Sequence, residues 1–419
     1  MKVVKKFCIC LLVLISFSFV FICNVTASDK IPNIASPSAL LMDLNTGKVL
    51  YEKNTDKKMY PASLTKVMTA ILALENCELT DVATVSQNAV MSIPSGYVTA
   101  NLKIGEEVTI EQLLSVLLVG SANDSAVVIA EHISGSVEDF SILMNDKAKE
   151  LGCKSTNFLN PYGAHEENHY STAYDLALIS KYAMENETFR RLVSTTSYTL
   201  PTTNKYNKKD RYFSTTNALL YDNKYEYKYA TGVKTGFTTP AKNCLIASAN
   251  KNNLELLTVV LGSTQNEDGL SNRYLDTINL FEYGYENYAL KEISKSGDII
   301  QTVKIKNATR DTKKLDAAIS NDISALVKSA DKDSATLPQV SINENLKAPI
   351  SKGEVIGSVT YTIEGIEYSE NLIANNDVKK SNFLVYTFIL ATILVFAYLY
   401  AKSKNRKRKN RRLKNRTIR

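Results

Sequence analysis

Short apolar stretches make two strand-like runs, Ala39 to Leu44 and Lys48 to Lys53, with Asn45-Thr46-Gly47 between them. Two such runs around a turn of this kind predict a β-hairpin. The pattern then changes to helical spacing from Pro61 to about Leu74. Thr109 and Gln112 form a capping box ahead of the apolar run Leu113 to Val119, which stops at Gly120. Further helices are expected at about Asp124 to His132, Val137 to Leu151 and Thr172 to Met184. The segment Thr195 to Tyr229 is rich in Thr, Asn, Lys and Tyr with little periodicity, and reads as irregular. Strand patterns return at Ala230 to Lys234, Asn243 to Ala249 and Leu254 to Gly262. A last helix near Asn272 to Tyr285 has Tyr274, Ile278, Phe281 and Tyr285 at helical spacing. Strands at both ends with helices between them predict an α+β domain over residues 32–288, a mainly antiparallel sheet covered by helices.

Beyond Tyr288 the periodicity shifts again. Short alternating runs, including Val355 to Ile363 and a turn at Glu364-Gly365, predict a separate small β domain over residues 293–374. The polar stretch Asn375 to Asn382 reads as a short stalk. Residues 383–400 (Phe383 to Tyr400) are apolar apart from two threonines, and eighteen residues at helical rise cover roughly 27 Å, enough for a bilayer core. Residues 401–419 form a basic tail with eleven Lys/Arg and no acid, which the positive-inside rule places in the cytoplasm. At the other end, residues 1–27 read as a secretory signal: Lys2, Lys5 and Lys6, an apolar run from Phe7 to Ile22, and Val25-Thr26-Ala27 before Ser28. An exported protein tethered through a C-terminal transmembrane helix is expected.

Composition changes this picture in two places. The formal charge of +7 belongs to the ends; without the tail and signal cations, 36 basic residues face 43 acidic ones. The exported part is therefore net acidic, and no nucleic-acid partner is expected. Cys8, Cys10 and Cys23 leave with the signal. Cys77, Cys153 and Cys244 make no disulfide framework and read as small buried residues. With three histidines and no C-x-x-C or H-E-x-x-H, neither a metal nor another cofactor is expected.

Candidate chemistry starts at Ser63-Leu64-Thr65-Lys66. Three residues is the spacing that puts Ser63 and Lys66 on one helix face. A serine at a helix start sits near free N–H groups, and a lysine one turn on can take its proton if its pKa is pulled far down. Alone the pattern is common and equally describes a surface helix. Two others follow in order, Ser121-Ala122-Asn123 and Lys234-Thr235-Gly236, at separations of 58 and 113 residues. Taken singly, Asn123 reads as a cap of the next helix and Gly236 as the mark of a bulge.

Together, S-x-x-K, S-x-N and K-T-G resemble the signature of the penicillin-binding proteins and serine β-lactamases. Their order and spacing are similar to the low-molecular-weight, serine-type D-alanyl-D-alanine carboxypeptidases. Residues 39–50, His169 to Asp175 and Gly232 to Thr238 also look like that family, which covers about Pro32 to Tyr288; the β domain is similar to its second domain. The resemblance implies a penicillin-binding protein/β-lactamase-like fold, with an all-helical subdomain beside the sheet. It also implies removal of the terminal D-Ala from peptidoglycan stem peptides, with β-lactam antibiotics as covalent inhibitors. By the same resemblance Ser63 is the nucleophile and Lys66 the general base. Ser121 relays a proton to the leaving amine, and Asn123 holds the substrate backbone. Lys234 and Thr235 bind the terminal carboxylate, the N–H groups of Ser63 and Phe237 form the oxyanion hole, and Gly236 clears room for the substrate strand.

Phe237 stands where some relatives carry His, and Tyr162-Gly163-Ala164 replaces a more usual Gly-Leu pattern. Neither is expected to touch the chemistry. Two other functions compete: a β-lactamase, against which the missing E-x-x-L-N element counts, and a non-catalytic peptidoglycan- or penicillin-sensing module, which has no use for a nucleophile and base. Glu166 and Glu167 read as solvated surface, and Asp175 as a structural hydrogen-bonding residue.

Overall fold

A computed structural model describes residues 31–330 and 337–414. The expected signal segment lies outside the described residues. Two compact units divide at Asn287/Tyr288.

The first unit opens with the hairpin β1 (Ser38–Asp43) and β2 (Val49–Lys53). A single 3₁₀ turn at Ala62–Thr65 leads into helix α1 (Lys66–Asn76). Short elements follow: β3 (Val82–Thr84), α2 (Gln87–Met91) and β4 (Glu107–Thr109). Helix α3 (Ile110–Leu118) starts with the capping box, Gln112 N–H to Thr109 Oγ1 and Thr109 N–H to Gln112 Oε1. Then come α4 (Asn123–Ser134), α5 (Val137–Glu150), α6 (Ala173–Met184) and α7 (Glu187–Ser194).

The segment expected to be irregular contains a small hairpin, β5 (Ser197–Leu200) with β6 (Arg211–Ser214). Arg211 from this hairpin is paired with buried Glu106 and donates to the carbonyls of Ala100 and Asn101. A long-range ion pair thus supplies the order that local periodicity lacks. The unit closes with β7 (Ala230–Thr238), β8 (Lys242–Lys251), β9 (Leu254–Ser263) and α8 (Asn272–Asn287). Strand β7 runs four residues past its expected end, so the whole Lys234 to Phe237 segment lies in a regular strand.

The five-stranded sheet has the order β2-β1-β9-β8-β7, antiparallel throughout. Alternation along β1 sorts its two faces. Leu41 and Leu256 meet α8 at Gly284, where a Cβ would come within 2.6 Å of Leu256. Leu40, Met42, Leu257 and Val259 face the other way, into the core shared with Val67 and Ile71 of α1, Leu113 and Leu117 of α3, and Val127 of α4.

In the second unit, β10 (Tyr288–Ser294) pairs with β13 (Ile323–Lys328). A five-stranded antiparallel sheet has the order β11-β12-β16-β15-β14, from β11 (Ile299–Lys304), β12 (Lys314–Ile319), β14 (Gln339–Ile342), β15 (Val355–Ile363) and β16 (Ile366–Ala374). Its core is apolar, with Leu315, Ile319, Ala325, Ile356, Val359 and Leu372 at its centre. The expected stalk is part of this unit. Val378 bridges to Ile350, Lys380 bridges to Ala308, and Ser381 N–H donates to the Asn307 carbonyl at 2.7 Å. Helix α9 (Phe383–Lys414) follows at once, long and apolar enough through its first part to cross a membrane.

Candidate active site

Ala62, just before Ser63, has φ of +48°, a conformation that costs a residue with a Cβ on the order of 1–3 kcal/mol. Gly163 packs against its carbonyl so closely that a Cβ there would lie 1.8 Å from the Ala62 oxygen. The Tyr162-Gly163-Ala164 segment thus packs directly against the turn that presents Ser63.

Lys66 is fully buried. Its Nζ lies 2.9 Å from Ser63 Oγ, 2.6 Å from Asn123 Oδ1 and 3.1 Å from the Tyr162 carbonyl. Burial pushes its pKa well below the ordinary lysine value; the charge of Lys234 adds to this, and Asp124 partly opposes it. The partner set suits a neutral amine. Such an amine has two N–H donors and one lone pair, and two of its three neighbours can only accept while the Ser63 hydroxyl can donate. The arrangement can take a proton from Ser63 without first losing a bond.

Asn123 is the first residue of α4, and Ala122, not Asn123, is its cap. Its amide instead spans the site, with Oδ1 on Lys66 and Nδ2 donating to the Val98 carbonyl at 2.9 Å. The adjacent Asp124 accepts from the N–H groups of Ala100 and Leu102 and so fixes the loop that carries Val98. Burial raises the Asp124 carboxyl, and those backbone donors pull it back. Ser121 sits in the break between α3 and α4 at φ +60°. The preceding Gly120 has no room for a side chain, since a Cβ would come within 2.7 Å of the Phe213 ring of β6.

The third side is β7, an edge strand paired with β8 alone in its sheet. Its other edge is available to an extended ligand. Lys234 is buried and donates to the Thr235 carbonyl at 3.1 Å, and Thr235 Oγ1 lies 2.5 Å from Thr216 Oγ1. Burial lowers the Lys234 pKa to about 7, with Arg273 contributing. A Cβ on Gly236 would sit 3.1 Å from the Ser63 nitrogen and 3.0 Å from the Pro61 carbonyl oxygen. Glycine here keeps the Ser63 N–H clear. It does not mark a bulge, because the register shift in β7 falls between Ala230 and Gly232.

These walls enclose a cleft of about 560 Å³ lined by Ser63, Ser121, Asn123, Thr235, Gly236 and Phe237 among others. Lys66 and Lys234 are buried at its base, bonded to cleft-lining residues.

Three contributors escaped the sequence reading. Arg273 of α8 lines the cleft, donates to the Gly236 carbonyl at 3.5 Å and the Tyr274 hydroxyl at 3.2 Å, and leaves its buried Nε unpartnered among the described residues. The Tyr162 carbonyl holds Lys66. His169 accepts from the Leu159 N–H at Nδ1, so its proton is on Nε2, 2.9 Å from Thr65 Oγ1. Burial pulls the His169 pKa down to about 4, and His165 adds to the effect. Tyr162 and His169 lie in segments already noted in the sequence, but their contacts, like those of Arg273, form only across the fold. Asp175 accepts from the backbone of Lys154 and Ser155 and from Thr156 Oγ1, a structural anchor. Of the cysteines, Cys244 is buried, while Cys77 and Cys153 are half-buried.

A family model described as D-alanyl-D-alanine carboxypeptidase matches residues 24–265, and one described as penicillin-binding protein 5, C-terminal domain, matches residues 288–380. The chain is 34% identical over 355 residues to D-alanyl-D-alanine carboxypeptidase DacF of Bacillus subtilis (strain 168), covering 83% of this chain and 87% of that one. It is 31% identical over 356 residues to the carboxypeptidase DacA of Haemophilus influenzae, covering 83% and 86%. Among solved structures it is similar to penicillin binding protein 5 from Haemophilus influenzae, with 30% identity, a TM-score of 0.62 and coverage of 84% of this chain and 99% of the other. It is also similar to the Streptomyces K15 DD-transpeptidase, with 32% identity, a TM-score of 0.56 and coverage of 61% and 98%.

Proposed function

This chain belongs to the D-alanyl-D-alanine carboxypeptidase family of serine-type peptidases, and from that premise we propose that it removes the terminal D-Ala of peptidoglycan pentapeptide stems through an acyl-enzyme on Ser63. The observation that carries the mechanism is the threefold setting of Lys66 between Ser63, Asn123 and the Tyr162 carbonyl.

Lys66, neutral because it is buried beside another cation, takes the Ser63 hydroxyl proton as Oγ attacks the carbonyl of the penultimate D-Ala. The developing oxyanion is received by the N–H groups of Ser63 and Phe237. Ser121 passes a proton to the departing amine of the terminal D-Ala, and water then cleaves the ester and restores Ser63. The substrate lies along the free edge of β7. Its terminal carboxylate is held by Lys234 and Thr235, and its backbone by Asn123, whose Nδ2–Val98 bond is the one a substrate would replace. A β-lactam presents its strained amide to the same groups and leaves a slowly released acyl-enzyme. Helix α9 anchors the chain in the cell membrane, with the peptidase on the wall side and the basic C-terminus in the cytoplasm.

The test pairs a labelled penicillin with a pentapeptide ending in D-Ala-D-Ala. Covalent label on Ser63, slow release and liberated D-alanine, all absent in Ser63→Ala, are the expected results. Rapid release of the label would make the protein a β-lactamase. Label without D-alanine would make it a penicillin-sensing module, and label that persists in Ser63→Ala would overturn the nucleophile.

A further inference from the structure

The two helices that begin at the Lys66–Asn123 pair end at a second cluster. Helix α1 starts with Lys66 and is closed by Cys77; α4 starts with Asn123 and carries His132 in its last turn. Asp81 follows in the loop after α1. The Cys77 sulfur, a carboxylate oxygen of Asp81 and a ring nitrogen of His132 lie within 4.8 Å of one another. We propose that Cys77, Asp81 and His132 bind one divalent cation of the zinc type, which ties the far ends of α1 and α4 together.

The donor set selects the class of metal. One sulfur, one imidazole nitrogen and one carboxylate oxygen suit Zn²⁺, which binds such atoms at about 2.0–2.3 Å and leaves a fourth position to water. Mg²⁺ and Ca²⁺ require oxygen ligands throughout. Tetrahedral bonds of that length put ligand atoms about 3.3–3.8 Å apart. The cluster therefore has to close by roughly 1 Å, within the range of a small side-chain rotation at two exposed positions and one half-exposed one.

The scaffold is already fixed. Cys77 N–H donates to the Ala73 carbonyl at 3.1 Å, Asp81 N–H to Glu78 at 3.1 Å, and Ile110 N–H to the Asp81 carbonyl at 2.9 Å. Asp81 Oδ2 accepts from the Glu78 N–H at 2.9 Å, which orients the carboxylate and leaves Oδ1 for a metal. Cys77 is in no disulfide. The ligands are 4 and 51 residues apart in sequence, so no compact motif announces them. From Lys66 to Cys77 the helix spans roughly 16 Å, which makes the cation a brace for two catalytic helices and not a participant in the reaction.

The test uses the full chain in detergent with Zn²⁺ or Cd²⁺, and none of its readouts depends on peptidase activity. Peptide-resolved alkylation should show Cys77 slowed by Zn²⁺ while Cys153 reacts at an unchanged rate. Equilibrium dialysis should show His132→Gln and Asp81→Asn, both at exposed positions, with one bound metal fewer per chain or at least tenfold weaker affinity for it. Zn²⁺ should raise the Tm of wild type and not of the double variant. Equal Cys77 alkylation with and without Zn²⁺, or metal binding by His132→Gln equal to that of wild type, would overturn the proposal.

Discussion

In the unit that ends at Asn287, the residues shut away from solvent include Lys66, Glu106, Asp124, His169, Arg211 and Lys234. In the unit that starts at Tyr288, tyrosines apart, the one buried hydrophilic residue among those described is Ser294. Burying a charge is costly unless it is paired, and the first unit separates two cases. Glu106 and Arg211 neutralise each other, and Asp124 is met by backbone N–H groups. Lys66 and Lys234 have no ion-pair partner among the described residues, and each has its pKa pulled down as a result. The paired charges hold loops in place, whereas the unpaired ones are bonded to residues that line the cleft. Backbone strain does not follow that division: left-handed residues include Ala62 and Ser121 at the cleft, but also Asn54, Lys242, Asn252 and Asn253 elsewhere in the first unit, and Asn307, Asn345 and Glu364 in turns of the second.

The contrast can be broken most severely at Lys66. Lys66→Ala should lower the acylation rate about 10²–10⁴-fold, the range for a lost general base, measured as the rate of penicillin capture by a correctly folded variant. Equal rates would mean that the buried amine is structural.

A smaller effect is expected at Lys234, whose assigned charge-assisted bond contributes roughly 1.5–3 kcal/mol, or about ten- to a hundred-and-fifty-fold in kcat/KM. The sharper readout compares free-acid and amidated pentapeptides. Wild type should prefer the acid, and Lys234→Ala should lose most of that preference. Because the free protein's Lys234 carries its proton below about 7 and loses it above, the acid preference should also weaken as pH rises through that value. An acid/amide ratio unchanged by the mutation would leave Lys234 only the task of tuning Lys66.

His169 tests whether buried titratable groups set the pH range of stability. Its pKa is about 4 when folded, against an ordinary 6.5. Between these values the unfolded chain binds the extra proton, so stability falls as pH drops from 6.5 to 4, by on the order of 3 kcal/mol in total. Denaturant titrations across that window should show a flatter dependence in His169→Gln, and an identical slope would discount the histidine.

The mildest effect on activity should come from the second unit. Leu372→Ala in its apolar core should cost about 2–5 kcal/mol of that unit's stability while turnover of a soluble pentapeptide stays within about twofold of wild type. A large loss of turnover would show that the β unit supports the catalytic unit directly.

The parts of this fold legible in the sequence are those encoded by neighbours. The capping box at Thr109, the hairpin around Asn45-Thr46-Gly47 and the helical spacing of Ser63 and Lys66 need contacts only a few residues apart. What stayed hidden depends on distant partners. The β5–β6 hairpin is pinned through Arg211 to Glu106, 105 residues away. Arg273 lay on a helix recognised only by its apolar positions, and nothing local distinguishes it from a surface cation. The close approach of Gly236 to the Ser63 turn was equally hidden, because the atoms its side chain would strike lie more than 170 residues earlier.

The hydrogen bonds that draw residues 376–382 into the β sheet leave almost no slack before Phe383. A flexible leash would let its load drift up and down above a bilayer, sampling a volume set by its length. This junction is closer to a mast stepped into a deck: where α9 stands in a membrane, the short connection at Ser381 and Asn382 keeps the β unit close above it. Inserting a few Gly-Ser pairs after Asn382 would turn the mast back into a leash. The substrates reached would then depend on linker length, which the native junction leaves no room to vary.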